Sequence, residues 1–360
     1  MVRWRSGTVL AVRRSWRGAA ELDVETGDGP LRALAYPHLV GTPEPGDRVL
    51  LNVGALVMGL GTGGYALVVA LPDRLPPDPP ADGSTRDSGH LVKARYTPLQ
   101  PILLGVDEEA SPHREVMAEA TSIDGMPVVT ADLHSALPAI LAGITADRPG
   151  TRVAYVMTDG GALPAWFSRT LDGLRGHLTG TVTTGQSFGG DLEASTVHTG
   201  LLAARHVLGA DIAIVAQGPG NLGTGTTWGF SGVALGEAVN AVAVLGGRPV
   251  GSLRISDGDG RDRHRGVSHH SLTAYGKVAL ARADLPVPDG LEPSLAARVD
   301  AALAPLTGRH HLVRVPCAGL DEALRACPVP LSTMGRKLDQ DHGYFLAAAA
   351  AGRHAAGLLP

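Results

Sequence analysis

The chain reads as an α/β protein: a mostly parallel, doubly wound (Rossmann-like) sheet preceded by a small β-barrel-like domain. Three observations carry this reading. Over residues 1–71 apolar and polar residues alternate between turn signals. Over 72–89 the composition turns to Pro, Asp and Gly (PDRLPPDPPADGSTRDSG). From residue 90 short apolar runs alternate with helical stretches. The expected organisation is a β-barrel-like domain at 1–71, a linker at 72–89 and an α/β domain at 90–360.

In the first domain strands are expected at 7–12, 21–25, 31–35, 48–53 and 65–71. The turn signals GDG at 27–29 and PEPG at 43–46 separate them, as in a five-stranded barrel. In the second, strands at 126–130, 152–158, 178–184, 212–216 and 248–255 are each followed by a helix, at 133–144, 162–174, 192–208, 233–245 and 271–281. A last strand at 311–315 precedes two carboxyl-terminal helices. This alternation with short connections is the pattern of a parallel sheet covered by helices on both faces.

Apolar residues make up 44% of the 360-residue chain, enough for a sizeable core, but aromatics are only 4% and glycines number 48. The core is therefore built from Ala, Val and Leu, with many tight turns. A net charge of −4 argues against nucleic acid as a partner. The one local exception is Trp4, Arg5, Arg13, Arg14, Trp16 and Arg17 in the barrel. Cys317 and Cys327 have no metal-type spacing and are expected to be unpaired thiols in a cytoplasmic protein. No run is long enough to span a membrane, and the alanine-rich tail reads as a helix packed on the body. A homo-oligomer is compatible with these features.

Several strand ends carry chemistry. DIAIVAQGPGNLGTGTTWGFSG, 211–232, breaks from an apolar run into a glycine-rich loop, and glycine lets backbone approach a ligand closely. GPGNLG at 218–223 matches the dinucleotide fingerprint literally, but helical sequence resumes only near Ser231 and Asp257 lies too far on for the usual ribose contact. An anion held by Gln217, Gly218, Gly220, Gly223 and Gly225 is the broader reading. GQSFG at 185–189 has the strand-to-helix setting of a nucleophile elbow, which makes a Ser187 hydrolase an alternative; a glycine-bracketed turn explains it equally.

The densest polar run is RISDGDGRDRHRGVSHHS, 254–271. Arg254, Arg263 and Arg265 are the residue type for capturing a carboxylate or phosphate. His264, His269 and His270 suit base or ligand roles, and with Asp257 or Asp259 they could hold a metal, although the spacing matches no standard metal motif. Asp159 in MTDGGALP and Arg336 in PVPLSTMGR stand at two further strand ends.

The stretches DGGALPAWFS, GQSFGGDLEA, the 217–232 loop, RHRGVSHHSLTAYG and PVPLSTMGR resemble the bacterial domain-of-unknown-function family 3866, as do LNVGALVMGLGTGGY at 51–65 and GHLVKARYTPLQ at 89–100. The resemblance spans nearly the whole chain. It implies no activity, cofactor or catalytic residue, and at position 187 it asks only for a small residue.

The leading functional expectation is a cytosolic enzyme acting on a small anionic, phosphorylated or nucleotide-like substrate. The glycine loop would cradle the anion and Arg254, Arg263, Arg265 or Arg336 would neutralise it. His264, His269 or His270 would move protons, oriented by Asp159 or Asp257, with Gln186 and Ser187 lining the same pocket. A non-catalytic ligand-binding or regulatory protein is the other alternative. The cofactor is left open.

Overall fold

A computed structural model describes residues 2–78 and 89–360. Most of the expected linker, residues 79–88, lies outside the described residues. Contacts divide the chain into two compact units. One is Met1–Leu103 with Trp166–Asp172, and the other is Leu104–Ala165 with Gly173–Pro360.

The first unit is a closed barrel of β1 (Trp4–Trp16), β2 (Ala19–Thr26), β3 (Gly29–Ala35), β4 (Arg48–Asn52) and β5 (Ala66–Ala70), in the order β1-β2-β3-β5-β4. Closure needs a long bent strand, and β1 supplies it. It runs for 13 residues, pairs with both β2 and β4, and carries two register shifts against β2 that coil it. Inward-facing Val9, Leu22, Val24, Ala33, Val49, Leu51 and Val68 fill the interior.

The helix expected over 162–174 does not form. Its place is taken by a single tight turn at Ala165–Phe167 and a five-residue helix at Arg169–Gly173. The reason is tertiary: Trp166 belongs to the barrel. Its indole lies against Gly18, where a Cβ would meet the ring at 2.4 Å, and stacks on His38 at 5.0 Å. Trp16 Nε1 donates to the Trp166 carbonyl at 2.7 Å.

The second unit holds an eight-stranded sheet of β6 (Pro127–Ala131), β7 (Val153–Thr158), β8 (Gly180–Thr183), β9 (Leu192–Glu193), β10 (Ile212–Gln217), β11 (Arg248–Gly251), β12 (Asp284–Pro288) and β13 (His311–Val315). The order is β9-β8-β7-β10-β6-β11-β12-β13 and every pairing is parallel. Helices α1 (Leu137–Asp147), α2 (Val197–His206), α3 (Ala234–Val244), α4 (His269–Thr273), α5 (Pro293–Leu303), α6 (Leu320–Arg325) and α7 (His342–Gly357) surround it. On one face α2 and α3 bury Leu201, Ala204, Ala238 and Val242 against Val128, Val156 and Val215. On the other, α1 packs on α7.

The α1–α7 crossing explains the alanine-rich tail. A Cβ at Gly143 would sit 1.9 Å from the Ala349 carbonyl oxygen, and one at Gly352 would sit 2.0 Å from the Ile140 oxygen. Backbone therefore touches backbone, which only glycine permits and alanine neighbours allow. Among the described residues no helix is long and apolar enough to cross a membrane.

Other expectations are corrected in detail. The helix expected from 192 begins at Val197, where Thr196 caps it, because residues 192–193 pair as β9. The strand expected over 248–255 stops at Gly251; Ile255–Ser256 instead pairs with Gly266–Val267 in a separate hairpin. The proline-containing strand β12 and helix α5 were not anticipated. Cys317 and Cys327 are both free thiols.

Candidate functional site

Parallel strands place all their carboxyl ends on one edge. Ligand crevices open there between neighbouring strands whose following helices lie on opposite faces. β6 and β10 are such a pair: β6 leads to α1, which packs on α7, and β10 leads to α3, which packs on α2. A small, narrow cleft lies at this point, lined by Ala131, Asp132, Thr158, Gln217, Ser231 and Gly232.

Asp132, the first residue after β6, is 4% exposed. Its Oδ2 is 3.4 Å from His270 Nδ1 and 3.7 Å from Arg254, close enough for charge compensation but aligned with neither as a hydrogen bond. Burial alone would raise its pKa, yet the neighbouring His270 and the Arg254 guanidinium hold it below the usual carboxylate value. Its backbone carbonyl accepts from Gln217 Nε2 at 2.8 Å, which ties β6 to the end of β10.

Three imidazoles gather beside Asp132. A ring nitrogen from each of His264, His269 and His270 lies within 4.8 Å of the others. Local sequence explains the gathering. Ser268 caps α4 by accepting from the His270 N–H, and the same hydroxyl contacts His264 Nδ1 at 2.7 Å. Phe230 lies parallel to His270 with centroids 3.8 Å apart. His264 and His270 are buried and His269 is half-buried. Burial first, and then nearby positive charge, lowers the pKa of His264 to about 3 and of His269 to about 4, so both rings are neutral at neutral pH.

A second polar network anchors this segment. Asp259, 2% exposed, accepts from Arg254, Arg261 and Arg336. The Arg261 hydrogen bonds, with Arg336 nearby, hold its carboxyl far below the ordinary range. Arg336 also binds Asp341, which accepts from Ser256. Arg254 and Arg336 are thus occupied by protein carboxylates, and Asp259 is occupied by arginines rather than facing the imidazoles. Arg263 and Arg265 are exposed, and the Arg263 guanidinium would lie 3.7 Å from a Cβ at Gly225.

The glycine loop separates into two parts. Gly218 is buried and packs on the neighbouring loop: its N–H goes to Thr158, and a Cβ would sit 2.3 Å from the Ala162 oxygen. Gly220 and Gly225 have φ of 88° and 83° and form turns in an exposed stretch, with Gly223 bridging to Phe230. Phe230 and Arg263 therefore connect this loop to the histidines.

The remaining expected residues lie elsewhere along the edge. Asp159 is exposed and accepts from the Gln186 N–H at 2.8 Å, fixing that turn. Ser187 is wholly buried and its hydroxyl donates to backbone oxygens of Met157 and Thr184, so it presents no nucleophile to a substrate. Asp257 is exposed beside Gly343 and has no part in the imidazole group. Asp132 and Phe230 were missed. A lone aspartate directly after a buried strand was the available signal for the first; nothing local marks Phe230.

A two-unit α/β protein with a histidine-lined carboxyl edge is the class defined so far. The family whose model is described as "Protein of unknown function (DUF3866)" matches residues 32–352, and the chain belongs to this family. No curated protein and no solved structure matches it.

Proposed function

We propose that the chain is a cytosolic enzyme acting on a small anionic substrate, phosphorylated or nucleotide-like, at the carboxyl edge of the sheet. One observation carries the reading: three imidazoles are gathered beside a buried carboxylate at the strand-order reversal, next to an exposed glycine turn and an exposed arginine. His264, His269 and His270 contact the reacting group. Asp132 orients His270, the role first assigned to Asp159 or Asp257. Arg263, Arg265 and the turn at Gly220, Gly223 and Gly225 receive the anion.

The test is a turnover screen of the full chain against phosphate monoesters, diesters and nucleotides. For a hit, Arg263→Ala raises KM about tenfold or more with kcat little changed, as expected for lost anion binding. His269→Ala lowers kcat at least about a hundredfold. Turnover indifferent to His269→Ala overturns the reading. Thermal stabilisation by a ligand that is never turned over supports a binding protein instead.

A further inference from the structure

Two polar atoms of the histidine group are left unsatisfied by the protein. His269 Nε2 and Asp132 Oδ2 are both buried, and neither has a hydrogen-bond partner. A buried polar atom without a partner costs about 1–3 kcal/mol. Simple packing of core histidines around Phe230 gives no reason to accept that cost twice in one cluster. Both defects sit within a group whose ring nitrogens already converge.

We infer that a divalent transition-metal ion of the zinc class binds here, ligated by His264, His269 and His270, with Asp132 fixing the ring of His270. This deepens the proposed reaction site but does not depend on its substrate. His264 Nδ1 is turned to Ser268, and His270 Nδ1 lies 3.4 Å from both Asp132 Oδ2 and Arg254 Nη1, which leaves the two Nε2 atoms for the ion alongside His269 Nε2. Metal on His270 Nε2 requires the proton on Nδ1, and a turn of the ring away from Arg254 aligns that N–H to donate to Asp132 Oδ2. One ion thus satisfies both orphaned atoms. A carboxylate behind a ligating histidine is the usual way such rings are held.

The ligand chemistry selects the metal. Three imidazoles and no carboxylate ligand suit zinc and its neighbours, whereas magnesium and calcium require oxygen donors. Tetrahedral ligation places nitrogens about 3.3 Å apart, and one ring nitrogen from each of the three histidines already lies within 4.8 Å of the others. Three protein ligands leave a fourth position for water or substrate, the arrangement of catalytic rather than structural zinc. Asp259, already surrounded by three arginines, remains outside the ligand set.

The full chain, stripped with chelator, is titrated with Zn²⁺ by calorimetry and with Co²⁺ by visible spectroscopy. One equivalent binds at micromolar or tighter affinity, and Co²⁺ shows the intense ligand-field bands of a four- or five-coordinate site. His269→Ala, its fold checked by circular dichroism, abolishes both signals, whereas His311→Ala, exposed on β13, keeps them. Asp132→Asn weakens affinity about 10–100-fold. No stoichiometric binding by the wild type, or equal binding by His269→Ala, overturns the inference. Metal bound without turnover of any substrate leaves this inference standing and counts against the enzyme reading. Turnover that needs His269 but survives complete metal removal does the opposite.

Discussion

Gly143→Ala tests the backbone contact between α1 and α7 against the ordinary behaviour of glycine in helices. Replacing a mid-helix glycine by alanine normally stabilises by about 1 kcal/mol. Here the new Cβ would lie 1.9 Å from the Ala349 carbonyl oxygen, and ordinary contact begins near 3.4 Å. The helices must part by roughly 1.5 Å, and a carbonyl inside a helix cannot rotate away. Overpacking of this kind costs about 1–3 kcal/mol and sometimes more. With a backbone atom as the obstacle the upper end applies, so the net loss is about 2 kcal/mol. For a unit of this size that lowers Tm by roughly 4–8 °C. Gly357→Ala is the internal control: it lies in the last turn of α7 with open space around it, and should gain up to about 1 kcal/mol. Calorimetry of the two variants beside wild type measures both signs. If Gly143→Ala stabilises as Gly357→Ala does, the close crossing is wrong.

Two further outcomes are expected. His134 is buried against Tyr155, and that burial lowers its pKa to about 4, offset only in part by a hydrogen bond to the Gln217 carbonyl. The unfolded chain takes up this proton near pH 6.5 and the folded chain only near 4. The contribution is therefore complete above pH 6.5 and declines by about 3 kcal/mol as the pH falls to 4. Urea unfolding at stepped pH should show His134→Gln losing less stability on acidification than wild type; identical slopes refute it. In the barrel, Gly18 has a φ of 73° and faces the Trp166 indole, so Gly18→Ala costs about 2 kcal/mol. A double-mutant cycle with Trp166→Ala should return a coupling of about 1 kcal/mol or more, and strict additivity would show that the two residues do not touch.

Local pattern was enough for the two architectures. The five barrel strands and most of the parallel strands announce themselves by alternation or by short apolar runs between turn residues, because side-chain burial has the period of the backbone. The histidines were legible as a group for a similar reason: Ser268 before two histidines is a helix start, so their placement is decided within a few residues. What sequence could not decide is who meets whom across the sheet edge. Asp257 and Asp132 are equally plausible by type, but only the strand order brings residue 132 beside residue 270. Arg254 and Arg336 look free until Asp259 is seen between them. Likewise the 162–174 segment has helical composition, yet burying Trp166 on Gly18 outweighs that weak preference. Local pattern and residue type thus account for the kinds of element and the chemistry on offer. Which carboxylate and aromatic ring surround the three imidazoles was settled by the tertiary fold, because Asp132 and Phe230 meet His270 across 138 and 40 positions that no local pattern relates.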